Sequence, residues 1–123
     1  SLQAQAAEIL GQKTLSIIKG GGGEFERHPS KDTVCFGLRA GAHIQQTAPA
    51  MLSETRRLHE VEAAVDALAL WEGKTRDEFA EATVTGTAAL ALWTDDPTTT
   101  IARAQATALD LWANCDAYER LTA

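Results

Sequence analysis

Short apolar runs alternate with turn-forming residues in the first half of the chain, a pattern typical of short helices and strands. "LQAQAAEIL", residues 2–10, predicts a helix that ends just before Gly11. "TLSII", residues 14–18, predicts a short strand that is apolar enough to be buried on both faces, as strands of parallel sheets are. "TVCFGLR", residues 33–39, and "HIQQT", residues 43–47, predict a hairpin closed by a tight turn at residues 40–42.

The second half of the chain carries apolar residues at helical spacing and predicts three helices. Gly73 ends the first of them, and Thr75 with Glu78 matches the capping box that would open the second. Asp96 followed by Pro97 predicts the N-cap and first turn of the third. The predicted apolar faces are Leu58, Val61, Val65 and Leu68, then Phe79, Ala82, Thr83, Gly86, Leu90 and Trp93, and finally Ile101, Ala104, Ala108, Leu111, Cys115 and Tyr118.

This order of elements predicts an α/β fold with one strand and a hairpin followed by three helices. The strand over residues 14–18 has no parallel neighbour in the sequence, so the sheet would have edges open to other chains. The chain also begins at Ser1 and not at a methionine. We therefore expect residues 1–123 to be the C-terminal segment of an α/β domain whose other strands lie upstream.

Composition and charge narrow the class of protein. The 123 residues are 45% hydrophobic and 23% charged, which fits a globular domain and excludes disorder by composition. No apolar run approaches the roughly 20 residues of a membrane helix. The sequence also lacks the basic region followed by an apolar region that is typical of a signal peptide. The net charge of −6 is uneven, because residues 1–50 carry five Lys/Arg against four Asp/Glu and the remainder carries six against thirteen. An anion site is therefore expected in the first part.

Two cysteines bear on the compartment. Cys35 and Cys115 are far apart and fit no metal-ligand spacing. Two reduced, partly buried thiols of a cytoplasmic protein are the simpler interpretation, and a disulfide between them remains an alternative.

The segment "KGGGGEFER", residues 19–27, carries the most distinctive chemistry in the sequence. Successive glycine amides form concavities that bind phosphate, with a lysine beside them. The residues in this candidate phosphate site are Lys19, Gly20, Gly21, Gly22 and Gly23. The segment matches neither the P-loop nor the G-x-G-x-x-G fingerprint, so a loop that binds nothing is the alternative.

The acidic residues of this segment are candidate metal ligands. Glu24 and Glu26 would share one face of an extended segment, with Phe25 on the other. The alternative is that both are solvated or paired with Arg27 and Lys31.

Basic residues along the first part are candidates for contacts to nucleic acid or to another phosphate. These candidates are Arg27, Lys31 and Arg39, with His28 beside the first. A dispersed basic surface is the alternative, because no aromatic residues are interleaved as in single-strand binders.

The motifs taken together resemble a known family. In order, "GGGGEFERHP", "FGLRAG", "ALWEGKTRDEFAEATVTGTAALALW", "ARAQATALDLWAN" and "YERL" resemble the C-terminal part of the anthranilate phosphoribosyltransferase-like proteins, glycosyltransferase family 3. The resemblance covers essentially the whole chain. It implies transfer of phosphoribosyl from phosphoribosyl pyrophosphate to an aromatic amine, assisted by magnesium, a step of tryptophan biosynthesis. The family's pyrophosphate-binding glycine motif would lie upstream, so this segment alone is expected to be inactive.

One position departs from the family pattern. The resemblance places the family's adjacent Asp-Glu magnesium pair at Phe25 and Glu26, so the aspartate is replaced. A single carboxylate makes a weak magnesium site. The motifs look most like a subgroup described as nucleic-acid-binding, which makes a non-enzymatic relative the alternative. The resemblance further implies that the segment packs on the remainder of its parent chain, and that the full-length protein forms a homodimer.

Overall fold

The computed structural model describes residues 1–19, 26–54 and 66–115 and has a mixed α/β fold. Within these ranges a three-stranded antiparallel sheet is combined with four helices, which confirms the predicted fold class and element order. The elements are α1 (Leu2–Ile9), β1 (Leu15–Ile18), β2 (Thr33–Arg39), β3 (Ala42–Ala48), α2 (Ala67–Trp71), α3 (Glu78–Asp95) and α4 (Ile101–Asn114).

The direction of β1 differs from the prediction. The sheet order is β1-β2-β3, and β1 runs antiparallel to β2 with Leu15 opposite Leu38 and Ile18 opposite Cys35. All four residues of β1 are half-buried, so the strand is not enclosed on both faces. A short apolar run fixes neither the direction of pairing nor the degree of burial, because both depend on which strand edge is available in the fold.

The predicted hairpin is confirmed. β2 and β3 pair from Thr33 with Ala48 to Arg39 with Ala42, around the two turn residues Ala40 and Gly41. Their φ angles are +49° and +80°, as a primed two-residue turn requires. This turn matches the right-handed twist of the strands and sets the register of the whole sheet.

The sheet has helices on both faces. Side chains alternate along the strands, so Cys35, Ile18 and Ala48 share the face that packs on α3 and α4. Leu38 belongs to the opposite face, where α1 packs. The main core contains Trp93 and small residues of both long helices, which lets α3 and α4 approach the sheet closely.

Two predicted helix starts are wrong. The N-cap of α3 is Asp77, which accepts from the Ala80 N–H at 2.7 Å, and not Thr75. The N-cap of α4 is Thr100, because Asp96 instead ends α3 and accepts from the N–H and hydroxyl of Thr98. In both cases a second capping residue stands close by, and the packing of the helix selects between the two.

The predicted end of α2 and parts of the predicted apolar faces are confirmed. Gly73 ends α2 with a φ of +72°, as expected, while Leu58, Val61 and Val65 lie outside the described residues. Trp93 and Ile101 are buried as predicted, but Leu111 is 57% exposed, on the rim of a cavity that Val84 and Ala88 of α3 also line. Tyr118 also falls outside the described ranges.

Two smaller expectations can be compared with the fold. No disulfide joins Cys35 to Cys115, and Cys35 is buried with the pKa of its thiol raised by desolvation. Among the helices of the described ranges, none has the length and apolar character needed to cross a membrane.

Candidate functional site

The predicted phosphate site begins where β1 ends. β1 stops at Ile18, and the next residue, Lys19, is exposed to solvent. The four glycines 20–23, together with Glu24 and Phe25, lie outside the described residues. The described chain resumes at Glu26, so the structure gives the two ends of the candidate site.

Glu26 is half-buried, and one of its carboxylate oxygens lacks a partner. Its Oε2 is shielded from solvent and accepts no hydrogen bond from any described residue. A buried carboxylate oxygen without a donor is unfavourable, and a bound water or cation is one arrangement that would satisfy it. This observation fits Glu26 as one oxygen ligand of a magnesium ion. The described residues contain no group of three His, Cys, Asp or Glu side chains that would complete such a site.

Arg27 lies inside the protein and not on a basic surface. Its side chain is only 2% exposed, and its guanidinium Nη1 donates to Gln105 Oε1 at 3.1 Å while Nη2 donates to the Pro49 carbonyl at 2.6 Å. Its backbone N–H donates to Thr87 Oγ1 at 3.0 Å. Burial lowers the pKa of this guanidinium, and the nearby Cys35 partly opposes that shift. Arg27 therefore connects the end of the glycine segment to α3, α4 and the segment after β3.

Arg39 is engaged in the same way. Its Nη2 donates to the carbonyls of Asp96 and Thr99, the latter at 3.0 Å, and its guanidinium lies 4.5 Å from the centre of the Trp93 ring. These contacts hold the α3–α4 connection against the end of β2. A side chain in this arrangement presents little of its charge to a nucleic-acid backbone.

Lys31 is the exposed member of the predicted basic set, beside the half-buried His28. The His28 ring packs edge-on against Phe79 at a centroid distance of 5.5 Å. The basic residues that were grouped in the sequence therefore do not share one surface. Arg27 and Arg39 donate to acceptors within the fold, whereas Lys31 is exposed.

The C-terminal ends of β1 and β3 lie at the same end of the sheet. Because β1 and β3 both run antiparallel to β2, their C-terminal ends flank the start of β2, with Ile18 opposite Cys35 and Ala48 opposite Thr33. Neighbouring strands are spaced by about 4.8 Å. Because β2 separates β1 from β3, Lys19 lies roughly 10 Å from the C-terminal end of β3. Arg27 and Gln105 lie near this second strand end, beside a cavity that Gln46 and Thr47 also line.

Sequence reasoning missed Gln105. By spacing it lies beside the buried face of α4, four residues after Ile101 and three before Ala108, and nothing in its neighbourhood along the chain marks it. Its contact with Arg27 joins residues that are 78 positions apart, so only the folded chain shows it.

A comparison of the chain with models of known protein families, with curated proteins and with solved structures finds no match.

Proposed function

We propose that this chain is the C-terminal segment of a phosphoribosyltransferase-like α/β domain and that the end of β1 faces a phosphate-bearing ligand. The observation that carries the proposal is the Oε2 of Glu26, which is buried and has no hydrogen-bond partner among the described residues. It stands at one end of a four-glycine segment whose other end is the exposed Lys19. The order of one strand, a hairpin and three helices agrees with the resemblance.

Each residue of the proposed site has a distinct role. The amides of Gly20–Gly23 approach the phosphate, since glycine lets the backbone come close. Lys19 adds a positive charge beside them. Glu26 provides one oxygen ligand for magnesium, which neutralises phosphate charge when bound. In phosphoribosyl transfer the bond from the ribose to pyrophosphate breaks while an amine attacks the same carbon, so neutralising the departing pyrophosphate favours the reaction.

The described part of the fold supports the segment assignment in a second way. Within the described ranges, β1 pairs only with β2, so one of its edges has no neighbour. On α1, Leu2 and Ile9 are 82% and 86% exposed and lie two helical turns apart on one face. We propose that the remainder of the parent chain covers this face and this edge, in a cytoplasmic protein that forms a homodimer when complete.

A non-enzymatic nucleic-acid-binding relative is the second candidate. Phe25 favours it, because phenylalanine stands where the resemblance expects the first magnesium ligand. Lys19 and Lys31 are exposed and would face phosphates, whereas Arg27 and Arg39 would act in the fold.

Calorimetry of the full-length parent distinguishes the two candidates. One titration uses phosphoribosyl pyrophosphate with and without magnesium, and another uses a short DNA at low and at moderate salt. For a working transferase cleft we expect magnesium-dependent sugar-phosphate binding that weakens about tenfold or more in Glu26→Ala. Glu54→Ala is the matched control, because it removes an exposed carboxylate on another segment.

The opposite result has an equally clear meaning. DNA binding that falls steeply with salt, without any sugar-phosphate signal, is the signature of contacts to a phosphate backbone. It would replace the transferase proposal with the nucleic-acid candidate and remove the metal assignment of Glu26.

A further inference from the structure

A cavity of about 470 Å³ lies between the C-terminal end of β3, residues 49–51 and the first turn of α4. Arg27 and Gln105 belong to its lining, and none of the described residues that line it is acidic. Its volume falls within the range of sites that hold small molecules. The charges around it decide which kind of molecule fits.

Arg27 is a buried cation without an anionic partner among the described residues. Its two hydrogen-bonded nitrogens donate to a neutral amide and a neutral carbonyl, and no described carboxylate lies within ion-pair distance. Its Nε is also buried and has no acceptor among the described residues. A buried charge is strongly unfavourable unless a counter-charge or a full set of hydrogen bonds compensates it. The surroundings of Arg27 therefore favour the entry of an anion.

The first turn of α4 adds positive potential at the same place. The Thr100 hydroxyl accepts from the Arg103 N–H at 3.2 Å, which leaves the N–H groups of Ile101 and Ala102 without an acceptor among the described residues. Both residues line the cavity. The first turn contains no acidic residue to offset the helix dipole, which is equivalent to roughly half a positive charge at the N-terminus.

The hydrogen bond from Arg27 fixes the side-chain amide of Gln105, which also lines the cavity. Because its Oε1 accepts from Arg27, its Nε2 carries two donors, and neither has an acceptor among the described residues. Ala50, which lines the cavity, donates its N–H to Oδ1 of Asp32 at 2.8 Å. Asp32 is solvent-exposed and is not part of the cavity lining.

We propose that this cavity binds the phosphate group of a small phosphate ester. Arg27 and the helix dipole together present roughly one and a half positive charges, which match a phosphate of about −1.5 to −2 at pH 7 better than a single carboxylate. The phosphate oxygens accept from the amides of Ile101 and Ala102 and from Gln105 Nε2. The cavity leaves room for the esterified carbon skeleton. This site is separate from the glycine segment after β1 and does not depend on the function proposed above.

Thermal unfolding of the 123-residue chain tests the proposal. The probes are inorganic phosphate and glycerol 3-phosphate, each at an ionic strength held constant with sodium chloride. At tenfold excess over its dissociation constant, a ligand of the folded state should raise Tm by roughly 5 °C. Glycerol 3-phosphate should bind more tightly than inorganic phosphate. If inorganic phosphate binds more tightly, the ligand is the free anion and the ester assignment is overturned.

A charge substitution inside the cavity provides the decisive variant. In Gln105→Glu the new carboxylate pairs with Arg27, so we expect Tm without ligand to be maintained or raised and the dissociation constant to increase at least tenfold. Gln45→Glu is the matched control, because Gln45 is exposed on the opposite face of β3 and should leave binding unchanged. Equal binding by Gln105→Glu and the unmodified chain would overturn the site.

Amide chemical shifts locate the ligand even where a variant fails to fold. Glycerol 3-phosphate added to the unmodified chain should shift the backbone amides of Ile101 and Ala102 saturably. Saturable shifts at Lys19 with none in the first turn of α4 would place phosphate at the glycine segment only, and would refute the cavity while leaving the function proposed above intact.

Discussion

Arg39 illustrates at the scale of a single residue how a cation can serve the fold. It combines two carbonyl acceptors with a position over the Trp93 ring, so both its planar shape and its charge are used. Arg39→Lys keeps the charge but loses the stacking and one donor, and should lower the free energy of unfolding by about 2 kcal/mol. Urea denaturation measures this change.

Replacing an exposed arginine by lysine is the control, because it removes a guanidinium group that makes no comparable contacts among the described residues. Arg103 is exposed on α4, and Arg103→Lys should change the free energy of unfolding by less than about 0.5 kcal/mol. If the free energy of unfolding fell by a similar amount in both variants, the contacts of Arg39 with the α3–α4 connection would not stabilise the fold measurably.

The sequence could identify basic residues but could not assign them to surface or interior. Arg27 follows a glycine-rich segment and was grouped with Lys31 as a phosphate contact, yet its acceptors are 22 and 78 positions away. These distances along the chain leave no local pattern. The candidate phosphate site after β1, in contrast, could be proposed from the sequence, because its glycines and lysine are contiguous.

At the scale of elements, the pairing of β1 with β2 depends on the absence of a side chain at one position. A Cβ built on Gly37 would lie 1.9 Å from the carbonyl oxygen of Leu15, which is backbone and cannot rotate away. Gly37→Ala should therefore separate the two strands locally and lower the free energy of unfolding by roughly 3 kcal/mol or more. Chemical denaturation together with amide shifts of β1 would measure both effects.

A second glycine separates this steric effect from the intrinsic preference of glycine. Gly41 has a φ of +80° but nothing within 4 Å of the built Cβ. Gly41→Ala should therefore cost only about 1–2 kcal/mol, the strain of a left-handed backbone conformation. A smaller loss for Gly37→Ala than for Gly41→Ala would contradict the close approach of β1 and β2.

Elements were predicted well where the signal is local. The hairpin follows from two alternating runs and a turn, and Gly73 ends its helix because it adopts a positive φ. Thr75 and Asp96 are not the N-caps, because Asp77 and Thr100 lie two and four residues beyond them and both residue types, Thr and Asp, can cap. The antiparallel direction of β1 was missed because it is set by contact with β2, which is distant along the chain.

At the scale of the whole molecule, stability should be unevenly distributed between the two faces of the sheet. The α3–α4 face contains the core around Trp93, whereas α1 buries only Ala4 and leaves Leu2, Ile9 and Leu10 largely exposed. The Glu8–His43 pair at 2.7 Å is about half exposed and adds little. Opening of α1 should therefore require much less free energy than opening of α3.

Native-state hydrogen exchange measures this difference directly. The amides of α1 should exchange at least about 100-fold faster than those of Ala89 and Leu90 in the buried part of α3, after correction for intrinsic rates. The physical reason is that Leu2 and Ile9 of α1 are largely exposed, while α3 is enclosed by α4 and the sheet. In the full-length parent the same amides of α1 should become strongly protected, because the proposed upstream strands and helices would cover that face. Equal protection of α1 in the segment and in the parent would mean that the segment is already complete, and would remove the main structural support for an incomplete α/β domain.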